Sequence, residues 1–109
     1  MRKALIVGID YYRSIQSLHG AANDAYSVKS VLDRHADGTT NFTQPKLMVA
    51  TCPDTAVTRS ELREAVQDLF RDKVDIALLY FSGHGYIDSA GGFLCASDCL
   101  DGHDGLASV

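Results

Sequence analysis

A short apolar run that ends at a histidine between two glycines constrains this chain most. Residues 75–81 read Asp-Ile-Ala-Leu-Leu-Tyr-Phe, which is too short for a typical helix and apolar at almost every position. A run of this kind predicts a strand buried on both faces, as in a parallel sheet. The segment Ser82-Gly83-His84-Gly85 follows directly. The sequence therefore places His84 where a buried strand ends.

Further apolar runs alternate with amphipathic segments along the rest of the chain. Strands are predicted at 4–9, 46–50 and 75–81, and helices at 23–36 and 58–71. This alternation predicts an α/β fold, in which helices flank a mostly parallel sheet with right-handed crossovers.

Local signals refine these boundaries. Asn23 is a candidate N-cap for the first helix, and Thr58 with Glu61 fits a capping box at the start of the second. Tyr86 to Asp88 and Gly92 to Cys95 can pair as a hairpin. Residues 96–109 are polar and show no periodicity, so no element is predicted there.

Length and composition limit the classes of function. The 109 residues are enough for one small domain, and the net charge of −4 does not indicate a nucleic-acid-binding face. No apolar run approaches the roughly 20 residues that a membrane span requires. Three cysteines without a secretory signal suggest free thiols and a cytoplasmic location.

The position of His84 suggests chemistry at the strand end. Ligands of open α/β sheets bind outside the carboxyl ends of the strands, and glycine allows them to approach the backbone closely. Histidine titrates near neutral pH and can transfer protons there. A surface histidine in a glycine turn is the alternative interpretation.

The other candidate sites are weaker. Each of Cys52, Cys95 and Cys99 fits an ordinary thiol better than a nucleophile partnered by His84. Cys95, Cys99 and His103 are spaced C-x3-C-x3-H, which is not a usual zinc spacing, and the nearby aspartates do not fit a calcium loop. No metal site is therefore predicted, and Ser82 lacks the GxSxG context of a serine hydrolase.

Four segments together resemble a known family. They are residues 3–12, the L-x-G-x-x-N-D motif at 18–24, the strand and SGHG turn at 79–85, and Gly92 to Asp98, in which Ala96 stands where proline is usual. In this order they resemble the caspase-like peptidases of the C14 type, particularly metacaspases and bacterial caspase homologues. The resemblance covers nearly the whole chain.

The resemblance implies a three-layer caspase-like sandwich and a cysteine endopeptidase that acts on peptides or proteins. It implies that His84 is the general base and that the amide of Gly85 contributes to the oxyanion hole. It also implies that Asp24 and Ser82 line a pocket for arginine or lysine. No cofactor is expected from it, and a calcium requirement is left open.

One part of the family pattern is missing from this sequence. The family nucleophile lies in a D-x-C segment roughly 50 residues beyond the histidine, and residues 85–109 contain no such segment. We therefore expect residues 1–109 to be the N-terminal part of a caspase-like domain, whose remainder is the partner that carries the nucleophile. A catalytically inactive caspase-like binding or regulatory module is an alternative, as is an unrelated flavodoxin-like binding domain.

Overall fold

A computed structural model describes residues 2–33, 42, 45–71, 73–89, 91–100 and 105–107. The first half contains β1 (Arg2–Ile9), α1 (Ala21–Asp33), β2 (Lys46–Ala50), a 3-10 turn (Pro53–Thr55) and α2 (Arg59–Arg71). The second half contains β3 (Ile76–Ser82), β4 (Gly85–Asp88), β5 (Gly91–Leu94) and β6 (Leu106–Ala107). No helix in these ranges is long and apolar enough to cross a bilayer.

The three predicted parallel strands form one sheet in the order β2-β1-β3. In the centre of β1, Leu5 pairs with Lys46 of β2 on one side and with Leu79 of β3 on the other. A central parallel strand is covered on both faces, and β1 is buried from Ala4 to Ile9. The predicted α/β class with a mostly parallel sheet is confirmed.

The two helices cover opposite faces of this sheet. Leu5, Val7 and Ile9 of β1 belong to a core that also contains Leu62, Ala65 and Leu69 of α2. The positions of β1 that lie between these three residues point to the opposite face. Helix α1 covers that face, since the backbone of Gly8 lies directly against the start of the helix. Helix, sheet and helix thus form the three layers of the predicted sandwich.

We expect Gly8→Ala to destabilise the chain. A Cβ atom at this position would lie 2.5 Å from the carbonyl oxygen of Ala21 and 2.8 Å from the Cβ of Ala25. The helix would have to move away from the sheet, and such overpacking typically costs about 1–3 kcal/mol. Urea denaturation measures this change. Gly20→Ala adds a methyl group without a clash, because nothing lies within 4 Å of its Cβ. It should cost less, up to about 1 kcal/mol, because alanine is a poorer residue than glycine at the start of a helix; a loss as large as that of Gly8→Ala would contradict the packing.

The predicted start of α1 is wrong. The helix begins at Ala21, and Asn23 lies within its first turn rather than at its cap. The carbonyl of Gly20 accepts the first helical bond, from the Asp24 N–H, so the capping position carries no side chain. The Asp10 carboxylate instead accepts hydrogen bonds from the N–H groups of Ala21 (2.8 Å) and Ala22 (3.1 Å). The predicted helix end at residue 36 lies outside the described residues.

Because Asp10 caps α1 from outside the helix, replacing Asp10 and replacing Asn23 should change the free energy of unfolding by different amounts. Asp10→Ala leaves two helix N–H groups without their carboxylate, and loss of a cap typically costs about 1 kcal/mol, up to about 2. Asn23→Ala should change the free energy of unfolding much less, because this exposed side chain does not form the cap. Chemical denaturation of both variants compares them. A larger loss for Asn23→Ala would contradict the assignment.

The start of α2 and the hairpin agree with the sequence. The Thr58 hydroxyl accepts the Glu61 N–H (3.2 Å), and the Glu61 carboxylate accepts the Thr58 N–H (3.1 Å), as in a capping box. Strands β4 and β5 pair antiparallel. The short strand β6 was not predicted, since two residues give no alternation, and it forms by pairing with β5.

Candidate functional site

The loops after β1 and β3 meet at the carboxyl edge of the parallel sheet. The loop after β1 joins Ile9 to α1, and the loop after β3 carries Gly83 and His84. Because β1 and β3 are adjacent and parallel, both loops leave the sheet on the same side. Segments that are far apart in the sequence therefore meet at this edge of the sheet.

The His84 ring is held by a backbone carbonyl of the first loop. Its Nε2 atom lies 2.7 Å from the carbonyl oxygen of Gln16. A carbonyl oxygen only accepts hydrogen bonds, so Nε2 carries a proton in this arrangement. In the neutral imidazole the other ring nitrogen, Nδ1, is then unprotonated and can accept a proton. His84 is half-buried, so part of the residue is accessible to solvent.

Tyr12 contacts both the backbone and the ring of His84. Its hydroxyl accepts the His84 N–H (2.8 Å) and donates to the carbonyl of Cys95 (3.1 Å). The two rings meet edge to face, with centroids 4.8 Å apart. Tyr12 is buried, and this burial raises the pKa of its hydroxyl well above the ordinary value of 10. The hydroxyl therefore stays protonated at neutral pH and remains a donor.

The structure brings Asp24 and Ser82 together. The Ser82 hydroxyl lies 3.4 Å from a carboxylate oxygen of Asp24, to which it donates a long hydrogen bond. Asp24 is exposed in the first turn of α1, and Ser82 is the last residue of β3. Two residues that are 58 positions apart thus form one polar patch with a negative charge. Such a patch can accept a guanidinium or ammonium group.

Gly85 begins the hairpin directly after His84. It pairs with Leu94 of β5 and is exposed. A Cβ atom here would lie 3.0 Å from the carbonyl oxygen of Phe93, so the hairpin leaves little room for a side chain. Its assignment to an oxyanion hole stays a prediction.

The three cysteines occupy different environments. Cys95 and Cys99 are buried in the core shared by the sheet and α2. Cys52 follows β2, and hydrogen bonds from Thr55 lower the pKa of its thiol below the ordinary value. Among the residues that the structure describes, no group of acidic, histidine or cysteine side chains could hold a metal ion. His103, part of the spacing considered above, lies outside those residues.

Two residues of this site were missed by the sequence reasoning. Gln16 contributes only a backbone carbonyl, for which no side-chain pattern exists. Tyr12 could have been suspected, because an aromatic residue with a polar tip directly after a buried strand is a candidate for a buried hydrogen bond.

Comparison with known sequences gives one match and one negative result. The profile of the peptidase C14 family, described as a caspase domain, matches residues 1–108. No curated protein matches the chain. The match includes every segment of the site described above.

Proposed function

Because the chain belongs to the caspase domain family of cysteine peptidases, whose substrates are proteins, we propose that residues 1–109 form the histidine-bearing part of an endopeptidase that cleaves after arginine or lysine. The observation that carries this proposal is the hydrogen bond from His84 Nε2 to the Gln16 carbonyl. It leaves Nδ1 as a base on the sheet edge to which Asp24 and Ser82 also belong.

The proposed reaction uses His84 as base and then as acid. Nδ1 takes the proton from a cysteine thiol, and the thiolate attacks the carbonyl carbon of the scissile bond. The amide of Gly85 donates a hydrogen bond to the oxyanion that forms. The imidazolium then protonates the leaving amine, and water hydrolyses the thioester in a second, base-assisted step. The Gln16 carbonyl stabilises the imidazolium through the proton on Nε2.

The proposed specificity comes from Asp24. Its carboxylate faces solvent beside Ser82, and a bound substrate would displace water from it. A guanidinium or ammonium group at P1 forms a charge-assisted hydrogen bond with this carboxylate. An acidic P1 side chain would be repelled.

The exposure of β3 supports a partner that completes the sheet. The sequence predicts a strand buried on both faces, but every residue of β3 is partly exposed, and Ile76 is 44% exposed. The physical reason is that β3 pairs only with β1 in the described part of the chain. We propose that the remainder of the caspase-like domain, with its nucleophilic cysteine, adds to this edge.

A covalent trap tests the proposed function. The protein expressed from its complete gene is treated with a peptidyl-arginine ketone that alkylates cysteine nucleophiles, and the modified peptide is identified by mass spectrometry. We expect one labelled cysteine outside residues 1–109 and no label in His84→Ala. Labelling of Cys52, Cys95 or Cys99, or no labelling of the folded protein, would contradict the proposal; the second result favours a non-catalytic binding module.

We further expect that Cys52→Ser keeps most of the peptidase activity of the complete protein. Cys52 has the only cysteine side chain in the described ranges that is not buried, and its pKa is lowered, so it is the strongest competing nucleophile. In the proposed mechanism the thiol has no role. Initial rates with an arginyl peptide measure the effect, and loss of turnover in a normally folded variant would reassign the nucleophile.

A further inference from the structure

The hydrogen-bond ladder of the hairpin is interrupted next to His84. Gly85 pairs with Leu94, so His84 and Cys95 form the next opposed pair. In an antiparallel sheet, the two residues of a hydrogen-bonded pair normally form two bonds, each from the N–H of one residue to the carbonyl of the other. Here the Cys95 N–H donates to the His84 carbonyl (2.9 Å), but the His84 N–H does not reach the Cys95 carbonyl directly.

The hydroxyl of Tyr12 occupies the position of the second bond. It accepts the His84 N–H at 2.8 Å and donates to the Cys95 carbonyl at 3.1 Å. One phenol therefore connects the two peptide groups and keeps them apart. A direct bond would bring donor and acceptor to about 2.9 Å, which leaves no space for the inserted oxygen.

The neighbouring glycine makes this insertion possible. A Cβ atom at Gly83 would lie 2.6 Å from the Tyr12 hydroxyl oxygen, closer than non-bonded atoms can pack. Tyr12 is itself fixed, since its N–H donates to the Ser17 hydroxyl (3.2 Å) and the next N–H, of Arg13, donates to the Ser97 carbonyl (3.0 Å).

The same loop therefore holds His84 at two points. Tyr12 binds its backbone N–H, and Gln16, four residues later, binds its Nε2 atom. We propose that Tyr12 is a positioning residue of the site, whose hydroxyl keeps the His84 N–H out of the hairpin ladder so that the ring reaches the Gln16 carbonyl. The inference rests on the proposed role of His84 as the base.

Removal of the hydroxyl has a definite structural consequence. The His84 N–H and the Cys95 carbonyl can then bond directly, which extends the hairpin by one bond and shifts His84 away from the first loop. The Nε2 proton loses its acceptor, and the two neutral tautomers of the imidazole become mixed. A displacement of this size at a base can lower turnover by about 100-fold.

The test compares Tyr12→Phe with Tyr86→Phe in the protein expressed from its complete gene. Tyr86 is the matched control, because its hydroxyl also accepts a backbone N–H, from Gly105 at 3.0 Å, but lies in the hairpin. The readouts are the ¹⁵N shifts of the His84 imidazole and the separate values of kcat and KM for an arginyl peptide. We expect an Nε2–H tautomer in the wild type and in Tyr86→Phe, and mixed tautomers in Tyr12→Phe. We expect kcat of Tyr12→Phe to fall about 100-fold with KM unchanged.

The tautomer readout decides the inference. It needs no turnover, so it separates failure of this inference from failure of the proposed function. A wild-type imidazole spectrum in folded Tyr12→Phe overturns the inference, as does an equal change in Tyr86→Phe. If Tyr12→Phe does not fold, Gly83→Ala is the second variant, because its methyl group displaces the hydroxyl without removing it; an unchanged tautomer in that variant overturns the inference.

Discussion

Replacing His84 with alanine is expected to abolish peptide cleavage by the complete protein while leaving substrate binding nearly unchanged. The change removes the only group proposed to take the thiol proton and to return it to the leaving amine. General acid–base catalysis by a positioned side chain typically contributes about 10²–10⁴-fold. Because Asp24 and Ser82 are untouched, kcat should fall and KM should stay within a small factor. Steady-state rates with an arginyl peptide measure both quantities.

His19→Ala is the matched control for this prediction. His19 lies in the loop before α1 and is exposed, so its loss should leave kcat unchanged. Comparable losses in the two variants would point to a general effect on folding. Normal turnover in His84→Ala would remove His84 from the mechanism.

Asp24→Ala is expected to reduce cleavage after arginine by well over tenfold. Loss of one partner of a buried, hydrogen-bonded charge pair typically costs about 2–5 kcal/mol, and a bound substrate would enclose the Asp24 carboxylate in this way. Cleavage after an uncharged P1 residue should change much less. The measurement is kcat/KM for two peptides that differ only at P1.

Asp33→Ala is the control that shows whether removing any negative charge from the same helix has this effect. Its carboxylate pairs with Lys29 at 2.8 Å, at the other end of α1, and such exposed pairs contribute little. The ratio of the two kcat/KM values should be preserved in this variant. An unchanged arginine preference in Asp24→Ala would refute the basic pocket and would leave only the caspase-like fold.

The sheet was predictable because its signals are local. Apolar runs of strand length lie at β1, β2 and β3, and the capping box of α2 lies within four consecutive residues. The start of α1 was not predictable in this way. Its cap comes from Asp10, which is 11 positions from Ala21 in the sequence. No periodicity or short motif connects two such positions.

The residues of the candidate site also divide into those with a local sequence signal and those without one. His84 was predicted to be a base because a histidine between glycines at a strand end is a visible pattern, and Asp24 and Ser82 were added by the family motif. Gln16 acts through its backbone carbonyl. Any residue at that position could supply the same carbonyl, so the residue type does not reveal the role. Tyr12 acts through an interaction with residues more than 70 positions away, and only the folded chain places its hydroxyl between them.

The difference between the predicted and the observed burial of β3 has another cause. Its apolar sequence predicts burial on both faces, whereas the strand is partly exposed throughout, and Phe70 near the end of α2 is 58% exposed. The apolar sequence of a strand is suited to the surroundings that the strand has in the assembled domain. In the described part of the chain, β3 pairs only with β1. This unpaired edge of a partly exposed apolar strand is the feature that best supports the proposal that a further part of the domain adds there.

Mapping of cleavage sites tests whether the complete protein cuts after basic residues and whether it needs His84 to do so. The protein expressed from its complete gene is incubated with a peptide library that covers all residues at P1, and the new termini are read by mass spectrometry, with His84→Ala as the paired sample. We predict cuts after arginine and lysine that disappear in His84→Ala. Cuts after aspartate, or an identical set of cuts in His84→Ala, would contradict the proposed function.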